Sequence, residues 1–199
     1  MEKDATGVEP CLLGGFGGVI AAGAPPLSIG DRAPSFALQG LVGYRLFAPL
    51  DVGLHVFHQW QEVVGLPAGA SAYSSAAGGG AFARIHPLAI FSDVTWIDPS
   101  VGAGFDLFAY ERQDTRFAGA SRSLRSARSG AALPVIAAVD VPIFEALSVS
   151  GVGIWGPWWN GETCASQGNG VPACGPTTEP ATSYFFVGVG LRLHLRFVD

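Results

Sequence analysis

Charge is scarce in this chain. Only 14% of its 199 residues are Asp, Glu, Lys or Arg, where a soluble globule usually carries about 25%. The balance is acidic, −5 at neutral pH, and no basic stripe with interleaved aromatics runs along any segment, so nucleic acid is not an expected partner. Long helical hydrophobic runs are also missing. Cys11–Gly30 and Val63–Ala83 lack charge, but the second is rich in Ser, Gly and Ala and too polar to span a membrane as a helix. Cysteine is limited to three residues, and no His clusters with them, which argues against a metal site. No cofactor motif is complete either. The run Gly14–Gly18 lacks the Lys-Ser/Thr that finishes a phosphate loop, so close backbone packing in a strand explains it better.

What is present is apolar and small. Hydrophobic residues make up 49% of the chain, with 28 glycines and 14 prolines. The apolar content argues against disorder, and the length fits one domain over residues 1–199. The most informative stretch is the last. From Phe185 to Phe197 every odd position is apolar, while the even positions include Gly188, Gly190, Arg192, His194 and Arg196. Period-two alternation over thirteen residues makes one face greasy and the other small or charged. Soluble strands usually run about 5–6 residues, whereas a tilted membrane-crossing strand needs roughly 9–11. The segment therefore reads as a lipid-facing strand of a closed barrel.

Seven further segments carry strand character: about Leu12–Ala24, Ser35–Leu46, Asp51–Trp60, Ala77–Leu88, Pro99–Glu111, Ala131–Val141 and Ala146–Trp158. Leu12–Ala24 has an alternative reading as the remnant of a leader, but the flank Met1–Pro10 is acidic and lacks a positive n-region. Segment five places Tyr110 on its inward phase. Segment seven changes phase between Val149 and Val152, which suggests a bulge near Gly151. Short links after segments two and six, and a slightly longer one after segment four, alternate with longer connections at about Pro25–Pro34, Gln61–Ala76, Arg112–Gly130 and Trp159–Thr182. That rhythm suits short turns on one side and long loops on the other.

The expected fold is therefore all-β, an eight-stranded antiparallel up-and-down transmembrane barrel. Eight strands enclose an interior that side chains just fill, so the lumen should be plugged. The inward phases put Arg45, His55, Arg84, His86, Asp106, Asp140, Arg192, His194 and Arg196 there, where they must pair with one another. His58, Trp60, Tyr44, Trp155, Trp158 and Trp159 suit the membrane interface. Cys164 and Cys174 enclose nine residues of a Gly/Pro/Asn-rich segment and would close a loop in an oxidising compartment, leaving Cys11 over.

With strand count, loop rhythm and terminal strand in hand, the chain resembles small eight-stranded outer-membrane barrels of the OmpA/OmpX architecture. The resemblance covers most of Leu12–Phe197 and is carried by Asp98–Glu111 and Ser183–Phe197. It implies a bacterial outer-membrane location, outer-membrane lipids and the outer-membrane assembly machinery as partners, and a monomer. The last segment resembles a C-terminal insertion signal, although Val198 and Asp199 follow the aromatic. No single activity is implied. A lipid deacylase would need a nucleophile beside an oriented base, and no such His–Ser pair is visible in the sequence. Arg122, Arg125 and Arg128 in the loop Arg112–Gly130 are candidates for contact with lipopolysaccharide phosphates. A structural barrel acting through its loops is the first expectation. The alternatives are a soluble lipocalin-like carrier with its greasy face inward, a narrow channel and a lipid-modifying barrel enzyme.

Overall fold

The computed structural model describes residues 7–20, 31–91, 96–118, 123–176 and 182–196. Its strands are β1 (Gly7–Ile20), β2 (Asp31–Phe47), β3 (Leu50–Val64), β4 (Ala70–Ile85), β5 (Asp98–Phe117), β6 (Ser123–Ala132), β7 (Val135–Phe144), β8 (Leu147–Gln167), β9 (Ala173–Pro176), β10 (Thr182–Leu193) and β11 (Leu195–Arg196). A single helical turn, α1 (Pro87–Phe91), lies between β4 and β5. Among the described residues no helix is long and apolar enough to cross a membrane.

Strands β1 to β5 pair in sequence, each antiparallel to the next. The upper part of β5 pairs with β6 and its lower part with β7. Both of these pair with β8, which pairs with β10, and β10 returns to β1. The sheet closes. β6 and β7 are one wall position interrupted at Leu133 and Pro134, and β11 carries on the line of β10 past His194 against β1. The wall thus has eight staves, with β9 leaning on the tip of β8. Proline cannot donate to a ladder, yet the break stays bonded: Gly104 N–H donates to Pro134 O at 2.8 Å and Leu133 N–H to Pro157 O at 3.1 Å. Every stave of the described wall has a neighbour on both sides, which is what a sheet in hydrocarbon requires.

Orientation is decided by the terminal stave. Leu191 is 54% exposed and its neighbour Arg192 is 1% exposed. Val187, Val189, Leu193 and Leu195 are likewise on the outside. A lipocalin-like barrel needs the reverse, so that alternative is overturned. Leu12–Ala24 resolves as strand over Leu12–Ile20, since β1 pairs on both sides; Ala24 lies outside the described residues.

Several local expectations need correction. Three of the long connections are mostly strand. β3 and β4 extend to Val64 and from Ala70, β5 and β6 to Phe117 and from Ser123, and β8 to Gln167. These extensions are mainly polar or small, with only isolated apolar residues such as Val64, Tyr73 and Leu124, so they carry no continuous greasy stripe to announce a strand. No bulge occurs at Gly151: the registers of β8 with β7 and β10 run unbroken through it. Val152 and Ile154 share the inward phase of Ser148 and Ser150 and pack inside. The bulge instead lies in β5, where Asp106 pairs with Gly80 and Phe108 with Gly79. One extra residue reverses the phase, so Tyr110 points outward, at 43% exposure, and Glu111 inward. Trp158 also departs from expectation. It is fully buried in the lumen, while Trp155 and Trp159 face out.

Candidate functional site

The lumen holds the chain's buried chemistry, and it is layered. At the lower end, where β1 begins and β11 ends, each of the eight staves contributes a polar side chain. Glu9 comes from β1, Arg45 from β2, Asp51 from β3, Arg84 from β4, Asp98 from β5, Asp140 from β7, Ser148 and Ser150 from β8, and Arg192 from β10. His86 and His194 sit just beyond β4 and β10. Strand alternation turns these groups inward, and the pairing register brings them to neighbouring rows, as where Asp51 lies opposite Arg84, Asp98 opposite Asp140 and Ser148 opposite Arg192.

They form a connected web. Arg84 is bonded to Asp51 through Nη2 and, at 3.3 Å, through Nε, and its guanidinium lies 5.0 Å from the Phe82 ring centroid. His86 Nδ1 is 2.9 Å from Asp98 Oδ2, and its Nε2 is 3.5 Å from Asp51 Oδ1. Arg45 reaches both Asp98 and Glu9 at 3.4 Å. Arg192 Nη1 lies 3.1 Å from Asp140 and 3.4 Å from Glu9. Ser150 donates to Asp140. Four carboxylates thus face three guanidiniums and two imidazoles, so the web is close to neutral and can be held away from water.

Above it the filling turns apolar. Leu13, Leu41, Phe57, Phe82, Ile136, Ile154, Phe186 and Trp158 are buried. A polar string crosses this layer: His55 Nε2 is 2.5 Å from Asp106 Oδ1, and Tyr184 donates to Asp106 Oδ2 at 2.8 Å. The Tyr184 ring stacks on Phe57 with centroids 4.9 Å apart. A second polar layer follows, where Ser74 donates to Gln61 at 2.9 Å and Gln113 to Thr115 at 3.2 Å. Ion pairs at the lower end, rings in the middle and neutral hydrogen-bonded pairs above them fill the described lumen in turn.

The lumen residues named from sequence lie where their phase put them, apart from Arg196, which enters the described structure through its backbone alone. Glu9, Asp98, Ser148, Ser150 and Tyr184 were missed as partners. In the sequence alone Glu9 reads as part of an acidic flank. Its signal was available, since Glu9, Cys11 and Leu13 share one phase across Pro10 and all are buried.

A His–Ser pair, invisible in sequence, does exist. Ser148 Oγ is 2.7 Å from His194 Nε2, and His194 Nδ1 is 3.2 Å from Glu9 Oε1. The atoms are those of a nucleophile–base–acid chain. Ser148, however, is 1% exposed inside the wall, and Glu9 is shared with Arg45 and Arg192.

The basic run does not survive as a loop. Arg125 and Arg128 belong to β6, and their spacing of three puts them on opposite faces. Arg128 is buried in the lumen, so it cannot meet lipopolysaccharide. Arg125 is exposed and lies 3.4 Å from Asp114. Arg122 lies outside the described residues. Near the tip of β8, Cys164 and Cys174 form a disulfide; Cys11 is free and buried.

The outer surface completes the definition. Leu12, Leu54, Val56, Leu107, Val187 and Val189 are each more than half exposed, forming an apolar belt around a closed antiparallel wall with a polar, filled interior. This is an integral membrane β-barrel. Comparison with known proteins places the architecture. The chain is similar to a major outer-membrane protein from Thermus thermophilus, with 13% identity, a TM-score of 0.68 and coverage of 95% of this chain and 99% of that one. It is similar to Neisserial surface protein A, at 13% identity and TM-score 0.58, covering 95% and 97%. OprG from Pseudomonas aeruginosa matches at 16% identity and TM-score 0.56, covering 98% and 100%. The fold is that of the small outer-membrane barrels. No protein-family model matches the chain, and no curated protein does.

Proposed function

We propose that this chain is a monomeric, non-enzymatic barrel of a bacterial outer membrane, delivered there by the outer-membrane assembly machinery, whose lumen is a structural core and whose wall and rim do its work. The observation that carries the reading is the web below the apolar layer: each stave donates to it, so the interior is spent on holding the cylinder together. Closure of the sheet on itself favours a monomer, since the paired staves leave little edge to recruit a second copy.

Conduction is disfavoured by the stacked rings of Phe57 and Tyr184 and by the fully buried Phe186 and Trp158 inside the barrel. Catalysis at Ser148 is disfavoured by burial, because an acyl carbonyl must come within hydrogen-bond range of the nucleophile and of an oxyanion donor. The test is heat-modifiable migration in detergent followed by planar-bilayer recording. A compact barrel that stays electrically silent supports the reading. Steady single-channel steps from the purified protein would replace it with a channel.

A further inference from the structure

Among the described side chains, the outward-facing arginines are gathered on one sector of the upper rim. Among side chains the structure describes, the arginines that face outside the barrel are Arg112 and Arg116 on β5 and Arg125 on β6; Arg45, Arg84, Arg128 and Arg192 are inside or at the lumen mouth. Asp114 sits between them, 2.6 Å from Arg112 and 3.4 Å from Arg125. Three guanidiniums against one carboxylate leave a net positive patch. Elsewhere on the rim the described outward charges are acidic, as at Glu62 on β3 and Glu162 on β8.

The register makes the patch a small lattice over three staves. Tyr73, Asp114 and Arg125 form one row. Ser71, Arg116 and Ser123 form the row above it, and Ser75, Arg112 and Ala127 the row below. Hydroxyls therefore flank the cations. Guanidinium bonds phosphate in a fork, and serine and tyrosine hydroxyls exchange hydrogen bonds with sugar.

Height fixes what can reach it. The apolar run of β5 faces outward from Val101 through Phe105 and Leu107 to Tyr110. Nine steps of about 3.3 Å, tilted roughly 40°, give a belt of about 23 Å, close to the roughly 25 Å of outer-membrane barrels. Tyr110 then stands at the interface. Arg112 is the next outward position above it, and Asp114 and Arg116 follow. The patch lies at headgroup level, with its side chains turned toward the surrounding leaflet.

From this position and charge we infer that Arg112, Arg116 and Arg125 form a docking site for the phosphorylated sugar headgroup of a glycolipid in the adjoining leaflet. The site rests on the outer-membrane reading above, and it keeps Arg125 while joining it to Arg112 and Arg116, which share its face, in place of the buried Arg128. Asp114 aligns Arg112 and Arg125 and competes with the ligand for them.

Bisphosphorylated lipid A and its dephosphorylated form are the probes. The folded protein in neutral detergent micelles is titrated with each, at low and at high salt. The wild type should prefer the phosphorylated form, and salt should weaken its binding. The variant R112A/R116A/R125A should lose about a hundredfold in affinity, while D114N binds the phosphorylated form more tightly. Equal affinity of wild type and triple variant, or equal affinity for both forms of lipid A, overturns the site. Inorganic phosphate competing as well as the lipid also overturns it, as a site for a free anion. Heat-modifiable migration of each protein is recorded alongside. A wild type that never forms a compact barrel fails the membrane reading, whereas a compact barrel indifferent to phosphate fails this site alone.

Discussion

Arg192 reaches past β8 to place Nη1 3.1 Å from Asp140 on β7, and the same nitrogen is 3.4 Å from Glu9 on β1. One side chain thus ties staves on either side of the closing seam. Removing one partner of a buried ion pair leaves the other charge without compensation, at a cost of roughly 3–5 kcal/mol. Arg192→Leu should lower barrel stability by about that much. Asp140→Leu added to it should recover a large part, because Glu9 retains Arg45 and His194. Urea unfolding in lipid vesicles, followed by tryptophan fluorescence, measures both. A double variant no better than the single would show that the seam is held by something else.

The lipid face gives a depth-dependent prediction. Leu191 and Leu195 both point outward from the terminal stave, at 54% and 50% exposure. Leu191 lies near mid-belt and Leu195 near its lower margin. An arginine at the midplane of such a barrel costs about 2–4 kcal/mol, falling to about 0–1 near the interface. Leu191→Arg should therefore cost several times more than Leu195→Arg in the same vesicle assay. Equal costs would mean that the belt is not where the exposed leucines put it.

How much of this was legible beforehand depended on whether a strand presents different chemistry on its two faces. The terminal stave does, with leucines outside and Arg192 inside, and its orientation could be read directly. β8 does not. Its inward residues pass from Ser148 and Ser150 to Val152 and Ile154, so greasy side chains appear on both phases and mimic a shift in register. The true shift, at Leu107 in β5, is silent in sequence because Leu107, Phe108 and Tyr110 suit either face. Trp158 misled for a related reason: indole is at home at an interface and equally in a filled lumen, and only the phase shared with Ile154 distinguishes the two. Arg125 and Arg128 looked like one loop patch because the polar upper ends of β5 and β6 have no apolar stripe. The pair Ser148 and His194 was out of reach, since it depends on the register of β8 against β10, where Ser148 lies opposite Arg192.

That pair supplies the next prediction. If Ser148 is a link in the web and not a nucleophile, a lipid-soluble fluorophosphonate should leave it unlabelled over hours, in micelles and in bilayers. Ser148→Ala should then change stability only modestly, by roughly 0.5–1.5 kcal/mol for one hydrogen bond, and leave the lipid composition of an expressing cell unaltered. Covalent labelling that disappears in Ser148→Ala would overturn the non-enzymatic reading and make Glu9, His194 and Ser148 an active site.

Packing around Trp158 gives a final test that involves no charge. This indole is the largest fully buried side chain among the described residues, and it lies over Gly130 of β6. A β-carbon added at Gly130 would press first on the Trp159 carbonyl oxygen of the paired strand, and then on Trp158 Nε1, at 2.6 Å. Something must move, and a filled barrel offers little room; overpacking of this kind costs about 1–3 kcal/mol. A β-carbon at Gly153, on β8, meets nothing within 4 Å, so Gly153→Ala should fall within about 0.5 kcal/mol of wild type. Gly130→Ala should be clearly less stable and should shift tryptophan emission as the indole is displaced. Indistinguishable melting and emission for the two variants would mean that β6 and β8 do not approach as closely at Gly130 as the buried Trp158 requires.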